Sequence, residues 1–513
     1  FARMIRAQRD CMLAKDGLAI AQHVRHWPQR AGEKEARRLR ALKASSRALP
    51  SERCLVLAGF AAVATLGRGL RPAGLRRGLR AKDPENDVLV IGAGVAGLTC
   101  ASLLAAEGLR VEIAEASDGV GGRVRTDYAD GFTFDRGFHV FLDSYKECNA
   151  LLDLDALDLR PFFAGANVRF GGKWHRIADP FREPQVALSS LRPSHAVGTT
   201  ADKLRLGVLR YMSQSRDANP EQAGPDRSLA EVLADAGFSD KMVDRFFRPL
   251  IGGIFFDPEL QVSRRAFDFV FASLSRGRNC LPREGIGAVA KQLAKQAEEN
   301  GVVVSLGAKA DQIKPGPEVR IQGKRLQPRA LVVATDGDQA AKLLGKDVYD
   351  GPEGRVGTMC LYFGVPVAEL HTSEPILHLN GELPSTGVYG STSMSSCTFL
   401  SNVVPEYAPD GQALLSCSLA GVPACTDAEV EIAVRQQLQE WFGGASASWP
   451  LLRSYRVPFA QVSGLPPAIQ RPVRLRDVAG VYMCGEHREA GVSLDGALRS
   501  GRRCAEAILE DLL

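Results

Sequence analysis

The sequence has few of the residues that build metal sites or disulfide-bonded scaffolds. Its 513 residues include 11 Cys and 8 His. No two cysteines are spaced as CxxC, and no Cys/His group has zinc-finger spacing. Apolar runs are also short: the most apolar, residues 54–66, is shorter than the roughly 20 residues that are needed to span a bilayer. These gaps exclude a zinc module, a disulfide framework and a strong transmembrane helix, and we expect no metal site.

Negative charge is scarce at the start of the chain. Residues 1–80 contain 18 Lys and Arg against 5 Asp and Glu, whereas residues 81–513 contain 46 against 54. An Arg-rich, acid-poor leader is typical of organelle transit peptides, and a basic, poorly ordered extension is the alternative. Because the rest of the chain is mildly acidic, we expect the folded part to bind no nucleic acid.

A complete strand–turn–helix–strand pattern begins at Asp87. The apolar run 87–91 predicts a buried parallel strand, and Gly92-Ala-Gly94-Val-Ala-Gly97 follows it directly. An Ala- and Leu-rich helix and a second strand then end at Glu115. The glycines allow a tight turn, a close approach to a pyrophosphate and close helix–strand packing, while the acid is placed to bind a ribose diol. This pattern predicts a dinucleotide site.

Two further glycine motifs follow the first. Gly121-Gly122-Arg123 offers a second close approach of backbone to ligand, with an Arg to neutralise phosphate, and residues 131–139 read as an extended, alternating stretch. Near the C-terminus an apolar strand ends in Gly485-Glu486, and Ser493 and Leu494 lead into a helix predicted over 497–512 with an interruption at 500–501. A helix entry of this kind is a second ligand-binding feature.

The central region changes character twice. Residues 202–212 and 228–254 have helical periodicity with charged opposite faces, which predicts a helical insertion. The aromatic stretch 244–256 is either an apolar substrate wall or plain core. Strands are predicted at 302–305 and 330–335, and residues 346–455 read as several more strands followed by a helix over 427–442.

Four segments in this order resemble the flavin amine oxidase superfamily, which also contains protoporphyrinogen oxidases and phytoene and other carotenoid desaturases. They are Val90–Glu115, Gly121–Thr126, Phe134–His139 and Cys484–Gly501. The sequences of residues 244–256 and 281–289 are most similar to those of a protoporphyrinogen-oxidase-like group of plants and cyanobacteria. The resemblance implies an α/β fold: a discontinuous FAD-binding Rossmann-type (GR2-like) domain with a mixed α+β substrate domain.

The resemblance also implies domain limits and a set of cofactor-binding residues. It assigns a targeting or disordered extension to 1–82, the FAD-binding domain to 83–140, 281–345 and 456–513, and the substrate domain to 141–280 and 346–455. The residues it assigns to FAD are Gly92, Ala93, Gly94, Val95, Ala96, Gly97, Glu115, Ala116, Gly121, Gly122, Arg123, Gly137, Phe138, His139, Ala310, Gly485, Glu486, Ser493 and Leu494. Of these, Ala310 is expected at the adenine and Phe138 near the isoalloxazine.

One departure from the superfamily bears on the reaction. Its amine oxidases usually carry a Lys facing flavin N5 through water, and the corresponding strand here, residues 356–363, has none. This absence favours desaturase-like or porphyrinogen-like chemistry, in which a hydride passes from a hydrophobic substrate to flavin N5. His139 and His487 are candidate acid–base groups beside flavin motifs, with packing as the alternative for each. No catalytic residue is assigned.

The expected enzyme is therefore an FAD-dependent oxidoreductase acting on a carotenoid-, porphyrinogen- or isoprenoid-like molecule. The alternatives are a flavin-dependent isomerase, an amine oxidase and a non-catalytic FAD-binding assembly protein. The electron acceptor is either oxygen or a quinone. The resemblance implies contact with a membrane surface, for which Phe246–Phe256 is the candidate segment, and a plastid location, with the mitochondrion as alternative.

Overall fold

A computed structural model describes residues 86–513, except 193, 219–223, 315, 346, 353, 384–389 and 477. The predicted extension at 1–82 lies outside these residues. The strands are β1 (Val88–Ile91), β2 (Val111–Ala114), β3 (Thr126–Ala129), β4 (Phe132–Asp135), β5 (Phe141–Leu142), β6 (Leu159–Pro161), β7 (Gly165–Phe170), β8 (Lys173–Ala178), β9 (Asn279–Pro282), β10 (Val303–Ser305), β11 (Ala310–Lys314), β12 (Glu318–Ile321), β13 (Lys324–Leu326), β14 (Ala330–Val333), β15 (Arg355–Pro366), β16 (Leu377–Asn380), β17 (Ser396–Phe399), β18 (Gln412–Ala420), β19 (Leu451–Val462) and β20 (Val481–Met483).

Six of the α-helices in the described residues follow one another between β8 and β9, and the others are distributed among the remaining strands and the C-terminus. The helices are α1 (Val95–Ala106), α2 (Lys146–Leu151), α3 (Leu154–Leu157), α4 (Pro184–Ser190), α5 (Thr200–Ala218), α6 (Leu229–Asp235), α7 (Asp240–Met242), α8 (Arg248–Phe255), α9 (Arg264–Arg276), α10 (Gly287–Glu299), α11 (Gly337–Leu344), α12 (Asp427–Phe442) and α13 (Leu494–Leu512). A π-helical turn, Val243–Phe247, joins α7 to α8. No helix in the described part of the chain is long and apolar enough to cross a bilayer.

A parallel sheet in the order β10–β2–β1–β14–β20 forms the first half of the fold. Its central strands β1 and β14 are buried along their whole length, as strands covered on both faces must be. Helices α1, α10 and α13 cover one face, and α11 with the antiparallel sheet β11–β12–β13 covers the other. Because β1 and β2 are separated in sequence from the other three strands, this half is discontinuous, as predicted.

A mixed seven-stranded sheet in the order β19–β15–β18–β17–β16–β7–β8 forms the second half. Strand β15 pairs antiparallel with β18 on one side and with β19 on the other. Helix α12 packs on one face of this sheet. Because β19 belongs here, the predicted domain boundary at 456 is wrong: it cuts through a strand whose pairing continues to Val462.

The aromatic stretch predicted as a candidate membrane contact lies in the core. Phe246, Phe247 and Phe255 are buried, and they pack in a cluster with residues of α6 and α9 and of the seven-stranded sheet. The membrane expectation for Phe246–Phe256 is therefore wrong, because the π-helical turn and α8 direct these rings inward.

Candidate functional site

The turn from β1 into α1 requires glycine at two positions. Gly92 has φ +108°, and a Cβ there would lie 2.9 Å from the carbonyl oxygen of Ala334 at the end of β14. A Cβ at Gly97 would overlap the carbonyl oxygen of Gly92. The backbone of α1 therefore approaches the carboxyl ends of β1 and β14, which is where open α/β sheets bind ligands.

Gly94 differs from its two partners because it faces open space. It is the N-cap of α1 with ordinary extended backbone, and a Cβ there would meet no atom within 4 Å. Gly121 donates its N–H to the carbonyl oxygen of Ala93 at 2.8 Å, and a Cβ on Gly122 would lie 3.5 Å from Gly94 Cα. The two predicted glycine motifs thus meet at the helix N-terminus, where backbone donors and the helix dipole favour a phosphate.

Glu115 follows β2 directly and holds the loops beside it. One carboxylate oxygen accepts the N–H of Ala93 at 2.7 Å, and the other accepts the N–H of Ser117 at 2.8 Å. A carboxylate has about four acceptor positions, so acceptors remain for a diol. Ala116, also predicted in the site, is exposed beside it.

Arg123 and Glu486 form an ion pair that sequence reasoning did not connect. The Glu486 side chain is buried and also accepts the N–H of Val462 at 3.2 Å. Arg123 donates to the carbonyl oxygen of Ala460 at 2.9 Å and lies over the ring of Phe459. The pair therefore joins two predicted cofactor motifs to the end of β19.

The C-terminal motif forms a second capped helix entry. The Ser493 hydroxyl oxygen accepts the N–H of Gly496 at 2.9 Å, which starts α13 at Leu494 rather than at 497. The predicted interruption at 500–501 is wrong, because α13 is continuous. Helix α13 packs directly on α1 at Gly501. A Cβ there would overlap the carbonyl oxygen of Ala96, so the close contact requires glycine.

Ser500 ties this helix to the strand before it. Its hydroxyl oxygen accepts the N–H of Gly485 at 2.6 Å, and Gly485 itself has φ +143°. Ala310, which the resemblance leads us to expect at the adenine, begins β11 on the other face of the parallel sheet, where it is buried in the same cluster as Ala114. The structure thus places Gly485 beside the start of α13, whereas Ala310 lies beyond the end of β2.

The segment after β4 is held by a tyrosine that the sequence did not single out. The Tyr362 hydroxyl donates to the carbonyl oxygen of Asp135 at 2.8 Å and lies 3.3 Å from that of Gly137. His139 Nδ1 donates to the Gly137 carbonyl at 2.9 Å, since a carbonyl can only accept. Gly137 has φ +104°, and Phe138 is half-buried. The only sequence signal for Tyr362 was its place in an alternating strand.

The Asp135 side chain anchors a second loop to this segment. One of its oxygens accepts the Thr126 hydroxyl at 2.6 Å and the N–H of Ile286 at 2.9 Å. Burial raises the pKa of Asp135, while the nearby His139 opposes that rise. A Cβ on Gly287 would lie 2.9 Å from the backbone nitrogen of Thr126, so the loop and β3 are in close contact.

His487, a candidate acid–base group, is a buried neutral base. Burial and the charges of Arg488, Arg123 and Arg471 lower the pKa of His487 to about 3. Its Nε2 has no hydrogen-bond partner among the described residues. The expectation that this side chain titrates near neutrality is therefore wrong, because a charged imidazole would be desolvated beside guanidinium groups.

The face of β15 toward Gly137 carries small polar and aromatic side chains. Cys360 and Tyr362 point to this side, and Met359, Leu361 and Phe363 pack on the α12 side. Cys360 Sγ lies 3.3 Å from the hydroxyl oxygen of Ser416 on β18, which is the register partner of Tyr362, and the Tyr362 ring meets that of Phe134 edge-on. The Lys-free segment 356–363 lies in β15, and its neighbours β18 and β19 also contain no Lys.

Comparison with known proteins identifies the family to which this chain is similar. The family model described as flavin containing amine oxidoreductase matches residues 95–509. The chain is 21% identical over 464 residues to a 15-cis-phytoene desaturase of Solanum lycopersicum, covering 83% of this chain and 78% of that protein. It is 23% identical over 503 residues to a carotenoid 3,4-desaturase of Haloarcula japonica, covering 83% and 98%.

Among solved structures, an oxidoreductase from Methanosarcina mazei has the same fold. It superposes with a TM-score of 0.63 at 17% identity, and the match covers 82% of this chain and 99% of that one. The family model spans most of the chain and begins at the first residue of α1. The protein therefore belongs to the flavin-containing amine oxidoreductase family and is an FAD-dependent oxidoreductase.

Proposed function

We propose that this protein oxidises a C–H bond of a hydrophobic, carotenoid-, porphyrinogen- or isoprenoid-like substrate. The observation that carries the proposal is the lack of Lys in β15, β18 and β19, the strands next to the Gly137 segment. Amine oxidases of the superfamily usually place a Lys there. The names of the Solanum lycopersicum and Haloarcula japonica relatives, a 15-cis-phytoene desaturase and a carotenoid 3,4-desaturase, support the same substrate class.

The described residues fit FAD at the edge of the parallel sheet. Gly94 has open space where a Cβ would project, at the N-terminus of a buried helix, and Gly122 lies against it. We assign the pyrophosphate to these glycines, the ribose to Glu115, and the ribityl side to the Arg123–Glu486 pair. When bound there, FAD supplies hydride acceptance at its N5 position.

The protein's own groups orient that site rather than perform a strong acid–base step. The Tyr362 hydroxyl contacts the carbonyls of Asp135 and Gly137, and the Gly137 carbonyl holds the His139 ring in one tautomer. With Nδ1 donating to a carbonyl, Nε2 of His139 carries the free lone pair. We propose His139 as the group that holds a proton released at the substrate.

We further propose a plastid location and a lipid-phase substrate. The 15-cis-phytoene desaturase of Solanum lycopersicum is described as chloroplastic/chromoplastic, and the Arg-rich residues 1–80 of this chain fit a transit peptide. Oxygen or a quinone is the proposed electron acceptor.

The test is an anaerobic reduction assay on the purified full-length protein. Its flavin absorbance is recorded before and after addition of a 15-cis-carotene, a porphyrinogen or a primary amine, each in detergent. We expect bleaching with the polyene or the porphyrinogen and none with the amine. Bleaching by the amine alone would overturn the proposal in favour of amine oxidation.

The two other outcomes distinguish the remaining readings. Turnover of a cis-carotene to another isomer, with pre-reduced FAD and no acceptor consumed, would show an isomerase. Tight FAD that no substrate bleaches and light does not reduce would show an assembly protein. Oxygen and a soluble quinone are then compared as oxidants of the bleached protein.

A further inference from the structure

Three polar side chains next to the end of β20 have buried atoms without hydrogen-bond partners. Arg488 ends the 3₁₀ turn Glu486–Arg488, and its side chain is completely buried. Its Nε and Nη2 atoms have no hydrogen-bond partner among the described residues, and the same holds for the Tyr349 hydroxyl and for His487 Nε2. Because buried polar groups are almost always hydrogen-bonded, each of these atoms calls for a partner.

The three side chains are neighbours. The ring centroids of Tyr349 and His487 are 6.2 Å apart, and His487 directly precedes Arg488 in the turn. Burial and the Arg488 charge lower the pKa of His487, and the same charge opposes the rise that burial causes in the pKa of Tyr349. The unpartnered atoms therefore form one group, named here the Arg488 cluster and consisting of Arg488, Tyr349 and His487.

Positive charge is in excess around the cluster. Arg488 Nη1 lies 2.5 Å from Asp350 Oδ1, in an ion pair that is not aligned as a hydrogen bond, and Asp350 is exposed. The Arg471 guanidinium donates to the carbonyl oxygen of the same aspartate at 2.6 Å. One carboxylate thus stands against two guanidinium groups, because the nearby Arg123 is already paired with Glu486. The missing partner should therefore be an anion.

The unused edge of the Arg488 guanidinium fits two oxygen atoms of one group. Nε and Nη2 of an arginine point in parallel and bind a carboxylate or a phosphate in a bidentate manner, while Asp350 contacts only Nη1. The Tyr349 hydroxyl and a neutral His487 protonated at Nε2 add two further donors. A phosphate can meet these donors with its remaining oxygens, whereas the guanidinium already engages both oxygens of a carboxylate.

The Tyr349 hydroxyl lies at the start of α11. A Cβ on Gly337, the first residue of α11, would overlap this hydroxyl, and so would a Cβ on Gly351. Glycine at these two positions leaves room around the hydroxyl, next to the first backbone N–H groups of the helix. The helix dipole adds to the attraction for an anion at this end.

The Arg488 cluster is on the opposite face of the parallel sheet from the turn that we assign to the FAD pyrophosphate. Helix α1, which begins at that turn, packs with α10 and α13 on one face. Tyr349 packs with residues of α11 on the other face. We propose that the Arg488 cluster binds a free phosphate ion at a site separate from FAD, whatever the substrate of the enzyme is.

The test is a calorimetric titration of the full-length, FAD-loaded protein with inorganic phosphate, in a buffer that contains none. Potassium chloride at the same ionic strength controls for screening. Tyr349→Phe removes one unpartnered hydroxyl, and Arg488→Lys keeps the charge but loses the two-nitrogen edge. The matched control is Tyr482→Phe, a buried tyrosine of β20 whose hydroxyl donates to Asp511 at 2.6 Å.

We expect the wild type and Tyr482→Phe to bind phosphate with the same Kd. The Kd of Tyr349→Phe and that of Arg488→Lys should each be at least about tenfold weaker, because each loses a hydrogen bond to a charged group. Without phosphate, the thermal midpoint should fall for Tyr482→Phe, which loses a hydrogen bond, and should not fall for Tyr349→Phe.

Absence of phosphate binding by the wild type, or equal Kd values for Tyr349→Phe and Tyr482→Phe, would overturn the proposal. Loss of flavin from the two cluster variants, with no phosphate binding by the wild type, would overturn it in favour of the FAD pyrophosphate as the missing partner. Acetate that binds as tightly as phosphate would overturn it in favour of a carboxylate.

Discussion

Gly94→Ala separates cofactor binding from folding. In the protein alone, the added methyl group meets no atom within 4 Å, and φ −70° with ψ 170° is ordinary for Ala. Ala is a poorer N-cap than Gly, so the free energy of unfolding of the FAD-free protein should fall by about 1 kcal/mol. With FAD bound, the methyl group occupies the space we assign to the pyrophosphate. A loss of at least about 2 kcal/mol in binding corresponds to a Kd about 30-fold weaker.

Two other Gly→Ala variants serve as comparisons for Gly94→Ala. Gly97→Ala should destabilise the fold by about 1 to 3 kcal/mol, because its methyl group would overlap the Gly92 carbonyl oxygen and lie 3.0 Å from Ala334 Cβ. Gly207→Ala adds a methyl group in open space on α5 and should raise stability by about 1 kcal/mol. Urea unfolding of the FAD-free proteins and titration of flavin fluorescence give the two quantities. If Gly94→Ala binds FAD as tightly as the wild type, the pyrophosphate assignment is refuted.

Three further changes test the rest of the site. Arg123→Met should cost about 2 kcal/mol of stability by leaving the buried Glu486 unpaired, and adding Glu486→Gln should restore most of that stability but not FAD affinity, as urea unfolding and flavin titration would show. Between pH 6.5 and about 3, His487 binds a proton in the unfolded chain but not in the folded protein, so the free energy of unfolding falls as the pH falls. On going from pH 7 to pH 4.5, the free energy of unfolding of His487→Gln should therefore fall by roughly 2 kcal/mol less than that of the wild type. Parallel plots of the free energy of unfolding against pH for the two proteins would contradict the buried neutral base. Tyr362→Phe should cost about 1 kcal/mol by removing one of the two donors to the Asp135 carbonyl, which keeps the N–H of Gly137 at 2.7 Å, and an unchanged urea midpoint would deny that bond.

Elements whose pattern is local could be predicted from the sequence. The helix expected over 427–442 has those bounds, because Thr426 and Glu429 form a capping box at its start and Gly443 ends it. The first strand, turn and helix are also confirmed. In that turn the positive φ of Gly92 and the helix contact at Gly97 are backbone requirements that only glycine meets, so they leave a clear mark on the sequence.

Contacts between distant segments left no such mark. Arg123 and Glu486 are 363 residues apart, and Tyr362 and Asp135 are 227 apart, so no periodicity links the members of either pair. Each side chain was visible only as a member of its own strand or motif. Strand β19 was divided at 456 for the same reason, because its membership in a sheet is set by β15, about a hundred residues away.

Helix α5 shows a different limit of pattern reading. The periodicity over 202–212 correctly predicts a helix, which extends in the structure to Thr200–Ala218. The predicted charged outer face is wrong, because Arg205 is the only charged residue among the exposed positions of this helix. Periodicity reports that a helix has two unlike faces, and not which face meets the protein. Here Asp202 and Ser213 are buried beside Leu209 and find hydrogen-bond partners inside, while Leu204, Val208 and Tyr211 are left exposed.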